Sequence, residues 1–412
     1  MERIAIIGAG ISGLSMAHLL KDNYDVTIFE KENTPGGLIR CSVIEGNLFH
    51  QCGGHVFNSK NQDVLTWFWS FFNKEKEFLK SDRNSVVIME DGATIPYPIE
   101  NHAYMFNDEM MKGFSKDIVE LSKSQRKEPT NFEEFLLTRF GKTLYHHYFK
   151  PYNQKIWRRD LASVPLSWLE GKLPMPTVEE IVYNNLKRVK EKEFVHSSFW
   201  YEKRNGSQFI ADRFAENLNI HYSANVNFIN KEKNGWIIDG TFFEKVVFCG
   251  NIKSLPSILH GIDIDNYYYY IDSLESHGTT SVFCELEKNP YSWIYLPSNK
   301  YDAHRIICTG NFSINNNANN MFTGTVEFTD MVSKNNILEN LSKMPLNPKY
   351  ITHKYNPFTY PIQDMKTRDM IKSFKKELEK HEFYMTGRFA DWEYYNMDVA
   401  TEAAMRTRTY IK

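Results

Sequence analysis

A glycine motif close to the start of the chain leaves few choices of fold. Residues 3–7, RIAII, have the pattern of a short apolar strand, and residues 8–13, GAGISG, follow at once in the spacing GxGxxG. Residues 11–21 carry apolar side chains at helical spacing, and a second strand over residues 24–29 ends at Glu30. This order predicts a βαβ unit, which belongs to an α/β fold with a doubly wound parallel sheet.

In that context the motif predicts a dinucleotide site. The first glycine permits a tight turn, the second lets the backbone approach a pyrophosphate, and the third lets the helix pack against the strand. The helix start offers N–H groups to phosphates, and Glu30 is expected to accept hydrogen bonds from the adenosine ribose. An acid there disfavours a 2′-phosphate, so the ligand is NAD-like or FAD. The expected contacts are Gly8, Gly10, Ile11, Ser12, Gly13, Glu30 and Lys31.

Three further segments favour FAD. The stretch EKENTPGGLIRC, which begins at Glu30, is similar to the flavoenzyme form of the Rossmann motif, in which this second loop also approaches the FAD pyrophosphate. VVFCG at 246–250 and MTGRFADW at 385–392 resemble a later strand and the last FAD-contacting segment of the same group. The resemblance adds these expected cofactor contacts: Gly36, Gly37, Leu38, Val226, Gly250, Gly387 and Arg388.

Composition limits the other classes of function. The 412 residues are 42% hydrophobic and 24% charged, which is typical of a globular protein with two or three subdomains. A net charge of −2 gives no electrostatic reason to expect a nucleic acid or an anionic membrane as partner. The sequence lacks an uncharged apolar run of membrane-spanning length, and its five cysteines lack metal-ligand spacing. We therefore expect a cytoplasmic protein without an integral membrane segment or a metal.

The pattern along the chain predicts three regions. Residues 83–99 are expected to form a hairpin, and a helix is expected with Thr130 and Glu133 as a capping box and Gly141 at its end. The predicted regions are a discontinuous FAD-binding Rossmann-like domain (1–80, 203–262 and 366–412), a mainly helical substrate-binding insertion (104–200) and an antiparallel β-sheet domain (81–103 and 263–365).

Four separated motifs carry a closer resemblance. They are GGHVF (53–57), IPYPIENH (95–102), PYNQKIWRRDLASVP (151–165) and GRFADWEYYNMD (387–398). In order and spacing the chain resembles the UDP-galactopyranose mutases, especially their eukaryotic-type branch, within the superfamily of FAD-dependent amine oxidases and protoporphyrinogen oxidases.

The resemblance implies a reaction without net oxidation. Members of that family interconvert the pyranose and furanose forms of a nucleotide sugar for cell-surface polysaccharides, through a covalent adduct between the sugar and N5 of reduced FAD. UDP-galactose is the default substrate. NAD(P)H as external reductant and a homodimer are further expectations that follow from the resemblance.

The resemblance also assigns roles to single residues. His55, after Gly53 and Gly54, matches a histidine near flavin N5, and Arg305 in DAHRIICTG matches an arginine that pairs with the substrate diphosphate; these two are the candidate catalytic residues. Tyr360 fits a tyrosine that contacts the diphosphate, although Tyr355 competes for that match. Further candidates are Tyr152, Asn153 and Trp157 for the substrate, Gly53, Gly54 and His55 for the cofactor, and Arg388, Tyr395, Asn396 and Met397 for the turn facing FAD, where Asn396 or Asp398 would cap a helix.

One departure from the family pattern leaves alternatives open. The family has a second diphosphate arginine, and the matching stretch SSFWYEKRNGSQF has Trp200 at that position, so Trp200 is expected at the substrate. The exact sugar and nucleotide are therefore open. An FAD-dependent oxidoreductase of the amine oxidase or protoporphyrinogen oxidase type is the alternative enzyme, and a non-catalytic flavoprotein is a third hypothesis.

Overall fold

A computed structural model describes residues 1–412 except 124–127, 167–175 and 190–197. The strands in the described residues are, in chain order, β1 (Arg3–Ile7), β2 (Asp25–Phe29), β3 (Cys41–Ile44), β4 (Asn47–His50), β5 (Phe78–Asp82), β6 (Ser85–Ile88), β7 (Thr94–Pro96), β8 (Ser198–Glu202), β9 (Asn219–His221), β10 (Ile229–Glu232), β11 (Gly235–Ile238), β12 (Thr241–Phe243), β13 (Lys245–Phe248), β14 (Leu259–His260), β15 (Ser276–Glu285), β16 (Trp293–Tyr295), β17 (Arg305–Ile307), β18 (Thr323–Thr329), β19 (Lys349–Pro361) and β20 (Phe383–Met385).

The same part of the chain contains thirteen α-helices. They are α1 (Ile11–Leu20), α2 (Gln62–Trp69), α3 (Lys74–Glu77), α4 (Asp108–Lys123), α5 (Phe132–Leu144), α6 (Lys150–Trp157), α7 (Val178–Lys187), α8 (Gly206–Ala215), α9 (Leu255–Ile258), α10 (Asp265–Asp272), α11 (Lys334–Leu341), α12 (Thr367–Glu379) and α13 (Met397–Arg408). None of them is long and apolar enough to cross a membrane.

A parallel sheet of five strands forms the first layer, in the order β9–β2–β1–β13–β20. Its central strand β1 is buried on both faces, because Ile4 and Ile6 pack in one apolar cluster while Ala5 and Ile7 pack in another. Helices cover both sides of such a sheet. The predicted βαβ unit and the doubly wound α/β fold are confirmed.

A mixed, mainly antiparallel sheet of seven strands forms the second layer, in the order β19–β15–β18–β17–β16–β6–β7. Strands β6 and β7 form the hairpin that residues 83–99 predict. One face of this sheet packs against α11 through aliphatic residues such as Val282 and Val326. The other face carries the polar residues described below.

Helices α4–α7 form a lobe whose apolar core includes Phe132, Leu136 and Trp157 and is shared with Val87 and Ile95 of the β6–β7 hairpin. The three predicted regions and their boundaries stay a prediction. The capping prediction for α5 was wrong by one residue, since Asn131 accepts the hydrogen bond from the Glu134 N–H. Gly141, with φ of 82°, interrupts α5 instead of ending it.

Candidate active site

The predicted dinucleotide turn joins β1 to α1. Gly10 occupies the N-cap position, so no N-cap side chain bonds the first N–H groups of α1. A Cβ on Gly13 would lie 1.9 Å from the Gly8 carbonyl oxygen, so only glycine allows this helix to start so close to the strand. The free helix start is the feature that phosphates bind.

A second loop lies against this turn. Gly36 forms a bridge with Gly10, and the Gly36 N–H donates to the Ala9 carbonyl at 2.8 Å. The Glu30 carboxylate accepts from the Ala9 N–H at 2.7 Å and the Glu32 N–H at 2.9 Å, which fixes its orientation. The structure thus brings together the predicted residues of both loops. The other predicted cofactor residues differ in exposure. Lys31 is exposed; Ile11, Gly37 and Leu38 are half-buried; Ser12 and Val226 are buried.

The seven-stranded sheet presents a row of polar side chains. Tyr295, Arg305, Glu327 and Ser281 are paired in register across β16, β17, β18 and β15. Because side chains alternate along a strand, paired residues lie on the same face of the sheet. The row therefore places an arginine between a tyrosine and a buried carboxylate.

Arg305 and Glu327 form the central ion pair of this row. Arg305 Nε donates to Glu327, whose side chain has no exposed surface, and an Arg305 Nη donates to the Tyr360 hydroxyl at 3.2 Å. Burial pushes the pKa of Glu327 up, but Arg305 and His304 together outweigh burial, and the pKa lies below its usual value. Glu327 is thus a carboxylate, and it fixes the guanidinium in place.

The Gly53–His55 turn lies flat on this sheet. The Gly53 N–H donates to Glu327 at 2.7 Å. A Cβ on Gly54 would lie 2.8 Å from Ile307 Cγ2 and 3.2 Å from Trp293 Nε1, so a larger residue would lift the turn away. The two glycines thus let the backbone approach the sheet.

His55 presents a neutral ring in this turn. Burial, followed by the charge of Arg388, lowers its pKa to about 4. Its Nε2 atom is buried and has no hydrogen-bond partner among the described residues. The backbone nitrogen of His55 lies 3.4 Å from Nδ1 of His50, a buried residue whose Nε2 is bonded to the Tyr201 hydroxyl. Nε2 of the neutral His55 ring can therefore form a hydrogen bond with a ligand in the site.

The segment after β20 supplies a second guanidinium. Arg388 lies over the ring of Tyr394 at 4.0 Å, and that ring stacks on Tyr360 at 5.5 Å with an interplanar angle of 6°. Arg388 Nε is buried without a partner in the described part of the chain. The preceding Gly387 lies against Ser12 of the dinucleotide turn. This segment therefore connects the parallel sheet to the Arg305 cluster.

The predicted substrate residues of α6 differ in their surroundings. Tyr152 is buried, with its ring 5.5 Å from that of Tyr295, so it extends the polar row. Asn153 is also buried and donates to the Phe149 carbonyl at 2.7 Å. Trp157 is packed in the core of the helical lobe. The structure thus brings Tyr152 to the cluster, and substrate contacts of Asn153 and Trp157 stay predictions.

Trp200 is half-buried and packs against the apolar cluster on one side of the parallel sheet. Its ring meets that of Trp69 edge-on at 5.7 Å, and Lys74 Nζ lies 4.2 Å above it. The next residue, Tyr201, points to His50, and because neighbours on a strand face opposite sides, Trp200 points away from that network. A substrate contact of Trp200 stays a prediction.

The remaining cofactor candidates lie around α13. Asn396 occupies the N-cap position of α13 but its side chain makes no capping bond, and Met397 is buried in the core. Tyr395 is mostly buried, and burial, followed by the charge of Asp391, raises its pKa. Gly250 follows β13 and packs on Phe248. Whether these residues contact a cofactor is a prediction.

Sequence reasoning missed two residues of the cluster. Glu327 is a lone charge in the strand TGTVEFT, whose residues are all buried, and a charge in such a strand is the signal that could have found it. Tyr394 was passed over for its neighbour Tyr395. Of the two competing tyrosines, Tyr360 accepts a hydrogen bond from Arg305, which favours it over Tyr355; its diphosphate contact stays a prediction.

The residues present fit a flavin dinucleotide. The open start of α1 and the oriented Glu30 suit a pyrophosphate and a ribose. The unpartnered nitrogens of His55 and Arg388 suit the ring end. In the described residues no group of His, Cys, Asp and Glu side chains could hold a metal ion.

Comparison with known proteins agrees with this geometry. A family model described as an NAD(P)-binding Rossmann-like domain matches residues 6–74. The chain is 31% identical over 182 residues to a protein of Klebsiella pneumoniae described as a probable UDP-galactopyranose mutase; the match covers 42% of this chain and 45% of the relative. It is 22% identical over 420 residues to the UDP-galactopyranose mutase of Mycoplasma genitalium, covering 96% of this chain and 91% of the relative.

A solved structure of reduced UDP-galactopyranose mutase superposes with a TM-score of 0.88 at 21% identity, covering 100% of this chain and 95% of the other. The chain resembles the UDP-galactopyranose mutases in sequence and in fold. The predicted resemblance is confirmed. The match to the Klebsiella protein spans less than half of that relative's length.

Proposed function

We propose that this protein is a flavin-dependent nucleotide-sugar mutase that interconverts the pyranose and furanose forms of UDP-galactose or a related sugar. The observation that carries the proposal is the Arg305 cluster. A partly buried guanidinium, fixed by Glu327 and bonded to Tyr360, adjoins a neutral histidine whose Nε2 has no hydrogen-bond partner in the described residues. Such a cluster suits a diphosphate that must leave a sugar and return to it.

FAD is the cofactor that the dinucleotide turn and the Arg388 segment are proposed to hold. When reduced, it supplies a nucleophilic nitrogen for the anomeric carbon of the sugar. NAD(P)H is the proposed external reductant. The role in cell-surface polysaccharide synthesis, the cytoplasmic location and a homodimer complete the proposal and follow from the resemblance.

The chain's own residues bind and orient the reactants. Arg305 presents its fork to the diphosphate, and its charge is kept in place by Glu327. Tyr360 and Tyr394 form a stacked wall beside that fork. Burial of the cluster excludes water, which strengthens these charge interactions and protects a departing diphosphate from diffusing away. His55, neutral because its pKa is near 4, offers a hydrogen bond without adding a second charge.

An assay with reduced protein tests the proposal. Purified protein with confirmed FAD is reduced with dithionite without oxygen, and conversion of UDP-galactofuranose is followed by chromatography, alongside other UDP and dTDP sugars. Conversion without net loss of reductant supports the mutase. Reoxidation of the flavin in proportion to substrate consumed would instead support the oxidoreductase alternative.

A pair of variants ties the assay to the cluster. Tyr360→Phe removes the hydroxyl that accepts from Arg305 at 3.2 Å, so we expect the KM for the nucleotide sugar to rise about tenfold. Tyr355→Phe changes the same strand away from Arg305, beside Met331 and Lys334, and is expected to leave KM unchanged. Equal effects of the two variants would remove the diphosphate role of Tyr360.

A further inference from the structure

Helix α6 connects the helical lobe to the row of polar side chains. It carries Tyr152, whose ring lies 5.5 Å from Tyr295 and 6.5 Å from His304, the residue before Arg305. The position of α6 therefore sets the distance between the Tyr152 ring and the Arg305 guanidinium. Four residues outside the Arg305 cluster form a network of contacts between α6, the residue after it and the seven-stranded sheet.

Lys155 fastens the middle of α6 to the chain that leads into Arg305. Its ammonium donates to the carbonyls of Leu296 at 2.7 Å, Ser298 at 2.6 Å and Ala303 at 3.2 Å, all in the connection between β16 and β17. Residues three apart share a helix face, so Lys155 and Tyr152 face the same side of α6. An ammonium has three donors, and here all three meet carbonyl oxygens.

His277 fastens the end of α6 to β15. Its Nε2 lies 3.0 Å from the carbonyl oxygen of Trp157, one of the carbonyls that a helix end leaves without a partner. Its Nδ1 lies 3.0 Å from the carboxylate of Asp330. The ring thus bridges the last residue of α6 and the end of β18.

Arg158 completes the connection directly after the helix. It adopts a left-handed conformation with φ of 45°, which stops α6, and its Nη2 donates to the Thr329 carbonyl at 2.8 Å. Its Nε lies 3.7 Å from the Asp330 carboxylate, which also accepts from the Gly278 N–H at 3.0 Å. We call Lys155, Arg158, His277 and Asp330 the α6 clasp.

We propose that Lys155 and His277 are positioning residues that fix the spacing between Tyr152 and Arg305 and thereby the affinity for a nucleoside diphosphate. The inference rests on the proposed function for the identity of the ligand. None of the hydrogen bonds of the clasp described above is made to Arg305 or His55, so the clasp acts through the positions of α6 and of the β16–β17 connection. Loosening α6 is expected to weaken ground-state binding while the reacting groups stay in place, which raises KM and leaves kcat nearly unchanged.

Hydrogen exchange in the protein without nucleotide tests the clasp itself. Lys155→Met and His277→Ala should each raise the exchange rate of the amides in residues 150–157 at least tenfold, because α6 loses an anchor. His277→Gln keeps an amide donor for the Trp157 carbonyl and should recover part of the protection. Lys142→Met and His147→Asn alter exposed residues of the same lobe and should leave α6 unchanged.

Binding of UDP by calorimetry and steady-state conversion form the second arm. We expect the Kd for UDP and the KM to rise about tenfold in Lys155→Met and His277→Ala, with kcat within twofold of the wild type. Unchanged amide exchange in α6, or a loss of kcat at constant KM, would contradict the proposed positioning role of Lys155 and His277. A wild type that binds UDP but converts no sugar would overturn the proposed function and leave the exchange and UDP results to decide the clasp.

Discussion

Glu327 has no exposed surface and still carries its charge, because Arg305 and the Gly53 N–H both bond it. Taking a carboxylate out of water costs several kcal/mol, which a well-placed partner must offset. The same carboxylate holds the arginine fork and the glycine turn, so one residue orients two sides of the site.

Removing that charge should destabilise the protein. Glu327→Gln keeps an oxygen for the Gly53 N–H but removes the charge that pairs with the partly buried Arg305 guanidinium, and we expect the free energy of unfolding to fall by about 3–5 kcal/mol. Urea unfolding measures this. Glu285→Gln, which breaks a more exposed pair with Lys349, should cost less than about 1 kcal/mol. A similar small loss in both variants would contradict a buried pair.

The pH dependence of stability provides a second test of the Arg305–Glu327 ion pair. The pKa of Glu327 is lower in the folded state than its ordinary value of 4.5, so its stabilisation is present above that pH and is lost as the pH falls below it. The stability difference between wild type and Glu327→Gln should therefore shrink in acid. A difference that stays constant between pH 7 and pH 3 would argue against the charge.

Glu100 has the opposite behaviour. It is buried, burial raises its pKa to about 7, and no side chain of the described residues bonds its carboxylate. The unfolded chain loses the proton near 4.5 and the folded chain near 7, so stability should fall as the pH rises between these values. Glu100→Gln should remove this slope and be more stable than wild type at pH 8 by up to about 3 kcal/mol. Denaturant unfolding at pH 5 and pH 8 measures it, and equal slopes would contradict the prediction.

Motif residues could be predicted from sequence because their spacing is local. Gly8, Gly10 and Gly13 lie within six residues, and their positions follow from one turn. Glu327 meets Gly53 only through the folded sheet, and no local pattern connects them. The pairing of distant charges is set by strand register, which the sequence does not display.

At the scale of elements, the Gly53–His55 turn acts as a unit with the sheet beneath it. Gly54→Ala would place a methyl group 2.8 Å from Ile307, so the turn must shift. We expect a loss of flavin content and a destabilisation of about 1–3 kcal/mol. Absorbance of bound flavin per protein measures the first effect.

A glycine elsewhere serves as the control for that variant. Gly92 lies in the β6–β7 hairpin, where a methyl group would meet no atom within 4 Å, but its φ is 86°. Gly92→Ala should cost about 1 kcal/mol through backbone strain and leave flavin content unchanged. Equal flavin loss in both variants would contradict a specific role of Gly54.

Element types could be predicted better than the residues that end them. The helix over α5 follows from its apolar spacing, yet both Thr130 and Asn131 are good caps, and in the structure Asn131 is the cap. Trp200 shows the same limit in a strand, since a shift of one residue decides which face a side chain takes. A sequence pattern predicts the type of an element more reliably than the residue at which the element begins or the face on which a given side chain lies.

At the scale of the whole molecule, the dinucleotide fold and the seven-stranded sheet meet where the cofactor is proposed to bind. Ligand that binds only the folded state stabilises it, by about 2.7 kcal/mol at a concentration of 100 Kd. FAD should therefore raise the Tm of the apoprotein, as measured by calorimetry. FMN lacks the adenosine half that Glu30 is proposed to hold, so a shift as large with FMN would contradict that assignment.

The long separation between paired strands has a consequence for synthesis on the ribosome. Strand β1 is made first, yet Ile4 pairs with Lys245, and Ser15 of α1 meets Thr401 of α13 at 3.4 Å. The edge of β1 that pairs with β13 stays unpaired until more than half of the chain has been translated. Unpaired strand edges and late long-range pairing slow folding and favour aggregation. The yield of folded protein in a cell is thus expected to depend on chaperones that shield this edge during elongation.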